Sequence, residues 1–275
     1  MLTGILTLCV GLAVNIESLA EQNTPSEDGG YLRLSLCTRV ETFKGSDVWD
    51  EVIVKKEFPV AETTILICDM WDKHWCGGAT KRVDAMAPVM NSVIKTAREN
   101  GVQIIHSPSN TLEFYADKSY RQKMISIPHV DPPEPLDLPN PPLPIDDSDG
   151  GCDTGEEPWH KAWSKQHPVI EIMGNDVISD NGQEVYSLMH QLGIKNLIIM
   201  GVHTNMCVLG RSFGIRQMTK WGIRCVLVRD LTDAMYNPKR APYVSHKRGT
   251  ELVVEYIEKY WCPSILSKDL LKAYH

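Results

Sequence analysis

A chain of 275 residues, 43% hydrophobic and 23% charged, carries enough apolar mass for one large domain, or for one domain with insertions. Its formal charge of -7, without a block of lysine and arginine, excludes the phosphate-binding footprint of a nucleic-acid partner.

The first twenty residues differ in kind from the rest. Leu2 to Ile16 is apolar but short for a membrane span, and Ser18-Leu19-Ala20 matches a small-residue cleavage site. Residues 1–20 are therefore expected to be a signal peptide, although a basic start is missing. Residues 21–30 are expected to be a disordered linker, and the mature chain periplasmic or secreted, without membrane contact after cleavage. The alternative is a cytoplasmic chain whose N-terminus is disordered or packed. Cys9 would leave with the signal. The seven remaining cysteines, at 37, 68, 76, 152, 207, 225 and 262, show no CxxC and no zinc-like Cys/His spacing.

Residues 31–58 alternate apolar and polar around a Lys44-Gly45-Ser46-Asp47 turn, which predicts a β-hairpin ahead of the main domain. The period then changes. Thr64 to Cys68 is an unbroken apolar run, the form of a strand buried on both faces. Val83, Met86, Ala87, Met90, Ile94 and Ala97 recur at helical spacing, and Asn100-Gly101 is a helix stop. Val102–Ile105 reads as a strand. Residues 127–165, with eight prolines between Pro128 and Pro144, read as a long surface insertion. Its acids Asp146, Asp147, Asp149 and Asp153 are taken as a solvated loop, since their spacing lacks the calcium-loop pattern. Further apolar runs at 169–172, 196–200 and 223–228 alternate with helical stretches at 182–192, 207–221 and 248–260. The alternation predicts an α/β chain, a three-layer α/β/α fold with a mostly parallel sheet, spanning 31–275 as a single domain with its β extension at 31–60.

In such a sheet, ligands gather at the carboxyl ends of the strands. The residues just past the apolar runs are Asp69, His106, Glu171, and the segment holding His203 and Cys207. Cys207 opens a predicted helix, where free N–H groups and the helix dipole favour a thiolate and can hold an oxyanion. Trp71, Trp75 and Phe114 form either an aromatic substrate pocket or core, and His74 is expected to line the site. Arg211 is expected to be solvated or paired with an acid, and His246 structural.

"ILICDMWDKHWC" and "LIIMGVHTNMCVLGRSFGIRQMTKWGIRCVLVRDLTDA" together resemble the isochorismatase-like cysteine hydrolase superfamily, which includes nicotinamidases and related amidases. The resemblance covers roughly residues 62 to 260. It implies Asp69 as general base and Cys207 as nucleophile. It also implies a cis peptide between Val202 and His203, with the N–H groups of His203 and Cys207 as oxyanion hole. Trp71, His74, Trp75, His106, Thr204 and Asn205 would then surround a small-molecule substrate. The family's third catalytic residue is a lysine at a strand end; Glu171 stands where it is expected, as a substitute acid–base or a substrate-recognition residue, with Lys161 and Lys165 just upstream as lysines able to reach in. The Asp-x-His metal set of nicotinamidases is missing around His106, so no catalytic metal and no cofactor are expected. The implied activity is hydrolysis of a small C–N bond, amide or carbamoyl, by a chain able to form homo-oligomers. The alternatives are a binding protein that has lost the chemistry, or vinyl-ether hydrolysis in which the cysteine is dispensable.

Overall fold

The computed structural model describes residues 30–274. The signal peptide and almost all of the linker expected over 1–30 lie outside these residues. No helix among the described residues is long and apolar enough to cross a membrane.

The hairpin is formed by β1 (Tyr31–Glu41) and β2 (Trp49–Pro59), antiparallel along their full length. The chain then enters β3 (Thr63–Cys68), buried at all six positions. Next come helix α1 (Gly77–Glu99), β4 (Gln103–Ser107) and α2 (Ser119–Ile125). The insertion leads into a two-residue β5 (Val177–Ile178), α3 (Gly182–Gln191) and β6 (Asn196–Val202). A π-helical turn (Thr204–Val208), α4 (Ile215–Lys220), β7 (Arg224–Asp233), α5 (His246–Tyr260), β8 (Ser264–Ile265) and α6 (Ser267–Leu271) complete the chain. The strands form a single sheet in the order β2-β1-β8-β7-β6-β3-β4-β5. From β8 to β5 neighbours run parallel, and β1 joins antiparallel to β8.

Strand alternation divides the core between two faces. Ile65 and Ile67 join the layer that holds the α1 residues Val83, Met90 and Ile94 and the α6 residue Leu270. Leu66 and Cys68 point the other way, toward Val185 of α3, Met218 of α4 and Ile257 of α5. The expected three-layer α/β/α fold is present. At Gly201 (φ 119°) strands β3 and β6 approach so closely that a Cβ would collide with the Cys68 carbonyl oxygen.

Two expected elements differ. Residues 169–172 form no strand; Ile170 packs in the core, but Val169 and Glu171 face solvent. The strand in that place is β5, which pairs with Ile105 and His106 of β4. The helix expected over 207–221 is broken: the π turn ends near Leu209, a bend follows through Gly214, and α4 begins at Ile215.

The insertion has no helix or strand between 127 and 165. It is fixed by specific bonds instead. The Tyr256 hydroxyl donates to the Pro141 carbonyl (2.7 Å), and the Asp146 N–H donates to that of Ala241 (2.9 Å). Its acids are not simply solvated. Asp149 accepts from Asn237 and Arg240, Asp147 from Asn205, and Asp153 from Arg82. Thr154 and Glu156 cap the start of α1 by accepting from the Gly78 and Gly77 N–H groups.

Candidate active site

Asp69 is the first residue past β3. Its backbone lies in the left-handed region (φ 46°) and its side chain is wholly buried. Two donors hold the carboxylate: the Ser109 backbone N–H at 2.7 Å on Oδ1, and Arg211 Nε at 3.1 Å on Oδ2. Cys207 comes from the turn past β6, the strand beside β3. Its thiol lies within reach of the Asp69 and Arg211 charges, which act on it in opposite directions. Arg211 follows Cys207 by four residues, and its N–H closes a helical turn on the Cys207 carbonyl. That spacing puts thiol and guanidinium on one face. The peptide between Val202 and His203 is cis.

Burial governs the electrostatics here. Loss of water pushes the Cys207 thiol far above its ordinary range; the neighbouring Asp69 charge raises it further and Arg211 opposes. Burial likewise raises the Asp69 carboxyl, against the pull of Arg211 and the Ser109 bonds. The helix-start expectation of a depressed thiol is therefore corrected. Cys207 sits fourth in a five-residue turn, and desolvation outweighs any dipole. Two buried acids facing one guanidinium hold a single proton between them, because a second negative charge would go unanswered. The nearby histidines stay neutral at neutral pH. Burial, then Arg82 and His160, depresses His74 to about 4, and His203 is driven well below its usual value by burial and by His74.

A cleft of about 590 Å³ opens over Cys207 and Arg211. Trp71, His74 and Trp75, from the segment after β3, make one wall, and Trp159, Lys161 and Trp163 of the insertion make another. Trp163 stacks on Trp71 with ring centroids 4.2 Å apart and 11° between planes. His203 faces His74 edge-on at 4.8 Å, and its Nε2 is buried with no hydrogen-bond partner among the described residues.

Several residues expected at the site are elsewhere. Glu171 is exposed at the protein surface, where its backbone bonds Asn91 and Arg98; it is not at a strand end because its run is not a strand. Past the true strand β5 stand Ser179 and Asp180, bonded to Glu184 and to the Asn110 N–H, so no lysine occupies that position. His106 is wholly buried behind the cleft. Both its ring nitrogens are engaged, by Gln166 at 2.9 Å and Asp176 at 3.0 Å, leaving none for substrate or metal. Thr204 and Asn205 are also buried. Thr204 bonds Thr232, and Asn205 ties the turn to Met235 and Asp147, so both position the loop and do not line the cleft. Phe114 is half exposed beneath Lys165.

Arg211 is the central residue that sequence reasoning placed only as solvated or acid-paired. Its i+4 relation to Cys207 was the available signal. Trp159 and Trp163, also four apart, had none, because nothing in a proline-rich loop says which side faces inward. Among the described residues, one group has metal-ligand chemistry: the sulfurs of Cys76 and Cys152 and a Glu156 oxygen lie within 4.8 Å of one another. Cys76 and Cys152 pack with Trp75 and Met235, not against Asp69.

The sequence pattern of the isochorismatase domain matches residues 63–241. No curated protein compared with the chain matches it in sequence. The fold is similar to that of a cysteine hydrolase from Pseudomonas syringae pv. phaseolicola 1448A, at 14% identity over 78% of this chain and 93% of that one, with a TM-score of 0.53. An isochorismatase from Pseudomonas putida KT2440 matches at 14% identity over 76% and 90%, with a TM-score of 0.46.

Proposed function

From the premise that the chain belongs to the isochorismatase domain family, we propose that this hydrolase cleaves a small-molecule C–N bond, amide or carbamoyl, through a Cys207 acyl-enzyme. The observation that carries the reading is the meeting of the Cys207 thiol and the Arg211 guanidinium on the cleft floor with the Asp69 carboxylate buried behind them.

In the proposed reaction, Cys207 Sγ attacks the carbonyl carbon as its proton passes to Asp69. The C–S bond forms and the carbonyl electron pair moves to oxygen, where the backbone N–H groups of His203 and Cys207 receive it. Collapse breaks the C–N bond, and the Asp69 proton leaves with the amine. Water then gives a proton to Asp69 and attacks the thioester; collapse breaks the C–S bond, releases the acid product, and returns the Asp69 proton to the sulfur. Arg211 takes the part of the family's lysine. It holds the Asp69 oxygen and sets one positive charge against the single net negative charge that the site carries at each step. The tryptophan walls suit a flat apolar group.

The test is intact-mass labelling with iodoacetamide, followed by turnover of an amide panel. Cys207 should be the modified cysteine, and both Cys207→Ala and Asp69→Asn should abolish turnover. Full activity in both variants would sink the assignment. One observation favours a second reading, vinyl-ether hydrolysis: a carboxyl raised by burial, as Asp69 is, can serve as a proton donor without a nucleophile. Under that reading Cys207→Ala keeps its activity and Asp69→Asn does not.

A further inference from the structure

The hairpin lies outside the matched domain, and β2 is one edge of the sheet, with no strand beyond it among the described residues. Eight consecutive residues, Asp50 to Glu57, are exposed on both faces of this strand. They include Val52, Ile53 (52% exposed) and Val54 in the middle. A long, apolar, uncovered edge offers a row of unpaired backbone groups to another strand. It lacks the usual protections: β2 has no proline before its last residue, Pro59, and its charges flank the apolar centre without interrupting it.

The order of those charges selects the occupant. The sequence "WDEVIVKKEF" has Asp50 and Glu51 on one side of Val52-Ile53-Val54 and Lys55 and Lys56 on the other. An antiparallel pairing of two such strands about Ile53 sets Ile53 opposite itself and Val52 opposite Val54. It sets Glu51 opposite Lys55 and Asp50 opposite Lys56, each pair sharing one face of the sheet. Parallel pairing would instead oppose each charge to its like. Among the described residues Asp50, Lys55 and Lys56 have no ion-pair partner, and Glu51 has only Arg39 at 3.8 Å.

We propose that β2 pairs antiparallel with β2 of a second copy of this chain, about a two-fold axis at Ile53, joining two sheets into one. Such an interface is isologous and closed, so it stops at the dimer. The register covers the apolar centre of both strands and completes four charge pairs that a single copy leaves unmade.

The test is sedimentation equilibrium of the full chain and of two charge variants, each checked for native circular dichroism. One variant is Asp50→Lys with Glu51→Lys, the other Lys55→Glu with Lys56→Glu. The wild type should be a dimer. Each variant alone should dimerise about 100-fold more weakly, with like charges opposed across the strands. An equimolar mixture of the two should recover a heterodimer. A monomeric wild type, with the edge left free or covered by residues 1–29, would overturn the proposal. So would a dimer indifferent to both variants, or a mixture that fails to recover association.

Discussion

At the scale of single residues, the chemistry depends on how three groups share two charges. Arg211 is 3.1 Å from the buried Asp69 and offsets the negative charge of the Asp69–Cys207 pair at the base of the cleft. Arg211→Ala should lower kcat/KM by about 100- to 1,000-fold, the scale of removing one preorganised charge donor. Arg211→Lys should restore part of it, with one Nζ donor in place of the planar fork. Because Arg211 lowers both acids, its loss should also move the acidic limb of the kcat/KM profile to higher pH. A profile that falls in height without shifting would show that Arg211 only holds the loop. The same electrostatics predict that no limb belongs to His74 or His203. His74 is depressed to about 4 and His203 lies well below its usual value, so neither changes charge between pH 6 and 8. His74→Phe should leave the pH profile's limbs in place, which a pH–rate series on the variant would check. Asp69 and Cys207 were legible because each follows an apolar run within a specific motif. Glu171 was misplaced because "VIEI" alternates like a strand, whereas the hydrogen-bonding partner that makes a strand, β4, meets Val177 and Ile178 instead. Nothing local in the sequence distinguishes those two short runs.

At the scale of elements, the site exists because β3 and β6 are neighbours whose ends are brought unusually close. Six buried residues of β3 run beside β6, and the register of β6 on its other neighbour, β7, shifts between Ile199 and Gly201. Gly201 lets the chain leave the sheet with its backbone against Cys68, in a conformation that disfavours a side chain. Gly201→Ala should therefore destabilise the fold by about 3 kcal/mol, the upper range for overpacking a full site, readable as a lowered urea midpoint. The shift of Asp69 relative to Cys207 should lower activity in the fraction that still folds. A substitution with unchanged midpoint would mean that the strands separate freely at that point. Helices and buried strands were read correctly where periodicity ran long, as in α1 and β3. The 207–221 stretch was read as one helix because its apolar spacing survives the break. The π turn and the bend before Gly214 depend on packing under β6 and β7 that periodicity does not encode.

At the scale of the whole molecule, the insertion was recognisable from its prolines, but not the means by which it becomes a wall of the cleft. Those means are electrostatic. Arg82 on α1 binds Asp153 of the insertion at 2.8 Å and Asp233 at the end of β7 at 2.7 Å. His246, at the start of α5, bonds Asp233 at 2.9 Å and lies 3.6 Å from Asp153. One cationic pair thus clamps three segments that the sequence separates widely. Burial works against the charged imidazole, but the Asp233 hydrogen bond and charge outweigh it, so the native His246 pKa is raised above 6.5. A group raised on folding stabilises the native state fully below its unfolded pKa, and that contribution is lost as pH climbs through the native value. Stability should therefore fall from pH 6 toward the alkaline side of neutrality, and His246→Gln should flatten this part of the curve by removing the titrating group. Urea midpoints of the two proteins across that window would check it. If the variant keeps the wild-type slope, the clamp rests on Arg82 alone. Since Trp159, Lys161 and Trp163 follow Asp153 in the same insertion, the loosening has a functional side. KM should rise over the same pH window while kcat, set by Asp69, Cys207 and Arg211, stays level, and the His246→Gln enzyme should show the higher KM already at pH 6.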